Sequence, residues 1–224
     1  AKAVLIGPGL GRDNAAGELL GVLFALGTPR EAERRRNIGF ASAVAAGATA
    51  TKETTSALFQ REDLWVVVDA DALNWLSEQG EWWLSLPAGR LVLTPHFGEF
   101  AKLTGKTTDE IIADPLGELE AAAKTWNQTV VLKYGYSAAS DGTTTVVAED
   151  APLSLATAGS GDVLAGTIAA LVAQGLSGLD AATIALHVGP AAARAAESRF
   201  GVLGTIATDL PDAIAEQMAR LAQS

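Results

Sequence analysis

Two glycines bracket a serine and an aspartate follows them in Thr157-Ala158-Gly159-Ser160-Gly161-Asp162-Val163-Leu164-Ala165-Gly166, where a run of small residues begins. Glycine lets a backbone approach a phosphate closely. A helix start offers unpaired N–H groups and the positive end of the helix dipole. Together these can form an anion hole for a transferring phosphoryl group, and Asp162 can accept the proton of an attacking hydroxyl. The same spacing suits an Asp162 that merely offsets the helix dipole, and spacing alone does not choose between the two.

Other residues with chemical potential are spread along the chain. Gly7-Pro8-Gly9-Leu10-Gly11 ends an apolar run. It lacks the spacing of a dinucleotide fingerprint, so a ligand loop and a plain tight turn both stay open. His96 follows a strand and a proline, where loops meet ligands; backbone partners are its other reading. His187 lies in an Ala-rich helical stretch and reads as packed. Glu99 either holds a metal through water, since phosphoryl transfer uses Mg²⁺ to spread charge, or is a carboxylate at a helix start. Lys133 ends a strand ahead of Tyr134-Gly135-Tyr136-Ser137. It can meet phosphate as a point charge or stand exposed. The tryptophans Trp65, Trp75, Trp82, Trp83 and Trp126 read as packing, and Arg34-Arg35-Arg36 as a solvated face.

The elements that must position these residues can be read from periodicity. Short apolar runs at 3–6, 65–68, 91–93 and 129–133 are expected to be buried strands, and 136–139 with 143–148 a hairpin around Asp141-Gly142. Helices are expected at 14–26 with Asp13 as N-cap, in a short piece capped by 107–109, and at 116–126, 162–174, 181–198 and 211–221. Residues 27–63 hold a charged patch and an Ala/Thr-rich stretch, with one or two helices. Continuous apolar strands alternating with helices predict an α/β fold: a largely parallel sheet covered by helices on both faces, with one antiparallel hairpin. No repeat or linker divides the chain, so residues 1–224 read as one domain. Ligands in such sheets sit beyond the carboxyl ends of the strands, where residues 7–11, 69–74, 96–99 and 133–137 fall.

Composition narrows the function. The chain has 224 residues, 49% of them hydrophobic, enough for one sizeable core. A formal net charge of −10 argues against nucleic acid as a partner, while a small phosphate ligand can still be held by local amides. The absence of cysteine excludes disulfides and thiolate chemistry and fits a cytoplasmic location. No apolar run of about 18 residues predicts a membrane span, and no signal peptide opens the chain. The sequence starts without Met, already running into a strand.

In order along the chain, Gly7-Pro8-Gly9-Leu10-Gly11, Val68-Asp69-Ala70-Asp71-Ala72-Leu73-Asn74, Leu93-Thr94-Pro95-His96-Phe97-Gly98-Glu99-Phe100, Val131-Leu132-Lys133, the glycine segment before Asp162 and Ala207-Thr208-Asp209-Leu210 resemble the ADP/ATP-dependent NAD(P)H-hydrate dehydratase family, which is ribokinase-like. The resemblance covers most of residues 1–12 and 65–215. It implies phosphorylation, from ADP or ATP, of the hydroxyl on a hydrated nicotinamide ring, followed by loss of phosphate and return of NADH or NADPH. It further implies Asp162 as the base and Gly159, Ser160 and Gly161 as the anion hole. Gly7, Gly9 and His96 would lie on the hydrated dinucleotide, Lys133, Tyr134, Gly135, Tyr136 and Ser137 on the adenine nucleotide, and Glu99 at Mg²⁺. Family members commonly form homo-oligomers. The chain departs from the family in three ways: the N-terminal strands and a Gly/Ala-rich substrate loop are expected to be missing, the stretch from Arg12 to Trp65 is longer by roughly thirty residues than a short connection, and a Lys-Gly-x-x-Thr pattern has become Lys133-Tyr134-Gly135-Tyr136-Ser137. A ribokinase-like kinase of a small vitamin-precursor alcohol and a non-catalytic nucleotide-binding module are the alternatives; such kinases more often carry Asn at the position of His96.

Overall fold

A computed structural model describes residues 2–26, 56 and 58–223. Most of the ambiguous stretch at 27–63, with the charged patch and Arg34-Arg35-Arg36, lies outside them. The described chain opens with β1 (Ala3–Ile6) and α1 (Asn14–Phe24). The side chain of Asp13 caps α1, accepting from the Ala16 amide at 2.8 Å. Then come β2 (Trp65–Val68), α2 (Ala70–Leu76), β3 (Leu91–Leu93), α3 (Phe97–Thr104), α4 (Thr108–Ala113), α5 (Pro115–Trp126) and β4 (Thr129–Leu132). The hairpin strands β5 (Ala138–Ser140) and β6 (Thr145–Val147) follow, then α6 (Ser160–Ala173), α7 (Gly178–Phe200) and α8 (Leu210–Leu221).

The six strands among the described residues form one sheet in sequence order. The pairs β1–β2, β2–β3 and β3–β4 are parallel, whereas β5 runs antiparallel to both β4 and β6. Side chains alternate between two cores, as a strand period of two requires. Val66 and Val68 of β2 face a core built with α1, α2, α3 and α5, and Val67 faces the opposite core, under α6 and α7. With apolar partners on both sides, β2, β3 and β4 are buried almost throughout, which is why they lack a polar face. The α/β architecture, a largely parallel sheet covered by helices on both faces with one antiparallel hairpin, is therefore as the sequence predicts.

The aromatic residues pack as expected. Trp82, Trp83 and Trp126 form a ring cluster that Phe100 joins, and Trp75 stacks on Phe24 at 6.0 Å between centroids. Trp65 lies against the opposite core. His187 differs from its reading: α7 buries Leu186 and Val188 but leaves His187 exposed, beside Gln217 and Arg220 in a shallow cleft against α8. Its helix is rich enough in alanine to fill the inner face without it. No helix among the described residues is long and apolar enough to cross a membrane.

Candidate active site

The carboxyl ends of the four parallel strands lie side by side, because pairing continues just past them. The Asp69 amide donates to the Ile6 carbonyl at 3.0 Å, the Thr94 amide to Val68 at 3.1 Å and the Lys133 amide to Pro95 at 2.8 Å. A parallel bridge joins His96 to Lys133. This row brings Gly7, Asp69, His96 and Lys133 to one edge of the sheet, although up to 126 positions (133 − 7) separate them in sequence.

Gly7 is required by contact. Its φ is +127°, and a Cβ there would stand 1.7 Å from the Asp69 carbonyl oxygen. Only a residue without a side chain lets β1 turn away so close to β2. The loop after it is clipped down by Asp71, which accepts from the Gly11 amide at 3.0 Å and from Arg12 Nε at 2.9 Å. Gly9 points into open space.

His96 and Glu99 act on each other. They form a capping box at the start of α3: Glu99 Oε2 accepts from the His96 amide at 3.0 Å, and His96 Nδ1 accepts from the Glu99 amide at 3.2 Å. With Nδ1 accepting, the neutral ring carries its proton on Nε2. The imidazole is 59% exposed and the Glu99 carboxylate is buried. The residue expected at Mg²⁺ thus has its carboxylate engaged in the helix start. Among the described residues no three His, Asp or Glu side chains gather into a metal-holding cluster.

A cavity of about 480 Å³ lies beyond β4 and brings together Lys133, Tyr134, Gly135, Tyr136, Ser137, Ser160 and Gly161. Its walls are largely apolar, supplied by Leu155, Val163, Leu164, Leu186, Leu210 and Ile214 among others. Tyr134, where the family pattern has glycine, also packs edge-on against Phe97 of α3 at 4.7 Å between centroids, so it joins the cavity to the helix that His96 caps.

At the cavity's edge α6 begins. Gly159 is its N-cap at φ 90°, and its missing side chain leaves room for Ala207. Ser160 is less available than its sequence suggests. Its amide donates to Thr157 at 3.3 Å and its hydroxyl to the Leu155 carbonyl at 2.6 Å. The Gly161 and Asp162 amides follow, and the acceptors they would use in a longer helix precede it. Neither has a partner among the described residues. Lys133 closes the arrangement: its Nζ lies 3.3 Å from where a Gly161 Cβ would be. An ammonium thus stands over Gly161 at a helix start that has two free amides and the positive end of its dipole, with the exposed Asp162 carboxylate in the same turn.

Two sets of residues escaped the sequence reading. Asp69 binds Lys133 Nζ through Oδ1 at 2.6 Å; its place at the end of β2 was legible, its partner was not. The segment 148–156 covers part of the cavity and is fastened by Arg194 of α7, whose guanidinium meets both oxygens of Asp150 at 2.8 Å. Glu197 extends this clasp, taking Arg194 Nη1 at 3.2 Å and the Ser154 amide at 3.4 Å. Nothing local signals a pair 44 residues apart.

Hydrogen bonding from Arg194 holds the Asp150 carboxyl below the usual aspartate range, against the opposing effect of desolvation and with help from the Ala151 amide. A lowered folded-state value makes the pair stabilising above the unfolded value, and that stability is lost as pH falls through the folded value. Asp150→Asn should therefore flatten the loss of thermal stability on acidification below about pH 4, where free aspartate titrates. Melting temperatures of both proteins across that range check it; parallel curves would remove the clasp from the acid response.

A family model described as NAD(P)H-hydrate dehydratase matches residues 30–216. The match takes in residues 30–64, where no motif was recognised, and starts after Gly7-Pro8-Gly9-Leu10-Gly11. The chain is 35% identical over 216 residues to a bifunctional NAD(P)H-hydrate repair enzyme of Salinibacter ruber, covering 96% of this chain and 33% of that protein. It is 38% identical over 158 residues to an ADP-dependent (S)-NAD(P)H-hydrate dehydratase of Neisseria meningitidis, covering 70% of this chain and 53% of that one. The chain thus spans between a third and about half of these relatives' lengths. Among solved structures, a ribokinase-like superfamily protein of Enterococcus faecalis superposes with TM-score 0.73 at 20% identity, over 100% of this chain and 65% of that one. An ADP/ATP-dependent NAD(P)H-hydrate dehydratase of Bacillus subtilis, co-crystallised with ATP and Mg²⁺, gives 0.58 at 22% identity, over 70% and 55%. The structural likeness establishes the fold, and the sequence matches establish the lineage: this chain belongs to the NAD(P)H-hydrate dehydratase family.

Proposed function

We propose that the chain restores hydrated NADH or NADPH with ADP or ATP as phosphoryl donor. The observation that carries this reading is the Lys133 ammonium standing over Gly161, at a helix start with open amides, where both residues line an apolar cavity. An adenine ring suits the cavity's apolar walls, and residues 133–137 lie along the nucleotide. The amides and Lys133 hold the oxygens of the terminal phosphoryl group, where fixed charges in a dry site act most strongly. Ser160 shapes this turn, since its own amide and hydroxyl already donate elsewhere.

Asp162 accepts the proton of the ring hydroxyl as that oxygen attacks the terminal phosphorus, and the nucleotide leaves one phosphoryl group shorter. The ring-nitrogen lone pair then expels phosphate, and loss of a proton from the neighbouring ring carbon restores the dihydronicotinamide. Gly7, Gly9 and His96, at the same sheet edge, face the hydrated dinucleotide in this reading. Mg²⁺ arriving on the nucleotide phosphates supplies charge neutralisation; Glu99, engaged in its capping box, meets such an ion only through water. A homo-oligomer in the cytoplasm belongs to the same proposal and is in keeping with apolar side chains exposed at Phe200, Val202, Leu203 and Ile206.

The test is incubation with NADH hydrate and ADP or ATP while following the absorbance of the reduced ring. Its return, dependent on nucleotide, is expected. No return together with phosphorylation of a pyrimidine or thiazole alcohol would select a vitamin-precursor kinase, and nucleotide binding with neither reaction a binding module.

A further inference from the structure

Asp69 lies at the end of β2, one position before α2 begins, and is 1% exposed at its side chain. Its Oδ1 holds Lys133 Nζ at 2.6 Å, and Lys133 is itself only 20% exposed. The other oxygen, equally buried, has no donor among the described residues. The whole carboxylate is therefore compensated by one ammonium. That ammonium is the group standing over Gly161 at the start of α6. The Asp69 backbone is fixed in turn: its amide is bonded to Ile6, and its carbonyl is pressed against Gly7.

We infer that Asp69 is a positioning residue, which holds the Lys133 ammonium at the phosphoryl end of the nucleotide cavity. The inference rests on the nucleotide reading of that cavity. A lysine on a four-carbon stem has many rotamers, and electrostatic stabilisation depends on charge placed in advance. Oδ1 supplies the placement, from a side chain that is 1% exposed on a backbone bonded to β1. Two effects of Asp69→Asn oppose each other. Removing a negative charge leaves the ammonium freer to attract phosphate, while losing the charged tether lets it leave the helix mouth. The buried, short and singly compensated geometry makes placement dominate.

The experiment is a double-mutant cycle on the full chain with Asp69→Asn, Lys133→Met and both together, reading the affinities for ADP and adenosine by calorimetry and stability by thermal unfolding. ADP affinity is expected to fall about tenfold or more in either single variant, the scale of one hydrogen bond to a charged group, with adenosine affinity unchanged. In the Lys133→Met background Asp69→Asn should not weaken ADP further, and it should raise the melting temperature by removing an uncompensated buried carboxylate. Equal weakening of ADP in both backgrounds, parallel loss of adenosine, or ADP binding unchanged or tightened in Asp69→Asn would each overturn the role. Should Asp69→Asn fail to fold, Asp69→Glu serves the same comparison, since it keeps the charge and displaces the ammonium; ADP weakened with adenosine intact is then expected, and both unchanged would refute the inference. These readouts do not use hydrate turnover. An absent dehydratase activity therefore leaves them interpretable, and their failure leaves the absorbance assay standing.

Discussion

Asp162→Asn should lower turnover of NADH hydrate at least about 100-fold, the ordinary scale of a general base, while ADP binding changes little. The residue is exposed in the first turn of α6, beside the two open amides, and its carboxylate has no hydrogen-bond or ion-pair partner among the described residues. Asparagine keeps the shape and the backbone amide but cannot take a proton. The competing role, offsetting the helix dipole, predicts a different outcome. It is worth only about 0.3–1 kcal/mol at an exposed site, so the variant would then lose a little stability and no rate. Turnover, ADP calorimetry and thermal unfolding on one preparation separate the two. A wild-type rate in the variant would end the catalytic assignment and leave the anion site in place.

Gly7→Ala should destabilise the fold by at least about 3 kcal/mol, through strain and a steric clash acting together. A new methyl group would sit 1.7 Å from the Asp69 carbonyl oxygen at a φ of +127°, and neither neighbour is a flexible side-chain tip that can swing aside. Gly9→Ala is the control. Gly9 also has a positive φ, +68°, but nothing lies within 4 Å of its missing Cβ. Its cost should stay near the left-handed penalty alone, about 1–2 kcal/mol. Urea unfolding of the two variants measures the difference. Equal losses would mean that β1 and β2 are not locked by that contact. Because the Asp69 backbone would have to yield, a folded Gly7→Ala protein should also lose ADP affinity, whereas Gly9→Ala should not.

The elements themselves were largely legible. The strands at 3–6, 65–68 and 91–93 stand as the apolar runs indicated, because a strand buried on both faces leaves an uninterrupted apolar signal. Capping chemistry placed helix starts equally well: Thr107 begins α4 through a capping box with Glu110. Segments 69–74 and 96–99 were harder. Their residue types place them beyond strand ends and leave a helix start open only at Glu99, yet α2 begins at Ala70 and α3 at Phe97. The first turns from strand to helix across the single residue Asp69, the second across Thr94, Pro95 and His96. Asp69 offers no side-chain cap, and Ala70 takes a positive φ of 49°, which no residue type announces. His96 is an uncommon N-cap, so the box it makes with Glu99 hid behind two residue types that also suggest ligands.

What the sequence by itself determined is the alternation of strands and helices, the glycine turn that opens α6 and the candidate base in its first turn. Each is local: a residue type acts on its own backbone or on the next few positions. The tertiary structure decided which amides stay open, because Ser160 loses its amide to Thr157 and its hydroxyl to Leu155. It also chose the carboxylate that holds Lys133 and the arginine that fastens segment 148–156 over the cavity. Those partners are 64 and 44 positions apart. Charges so far apart in sequence meet only after parallel strands have set their ends in a row and helices have packed on both faces.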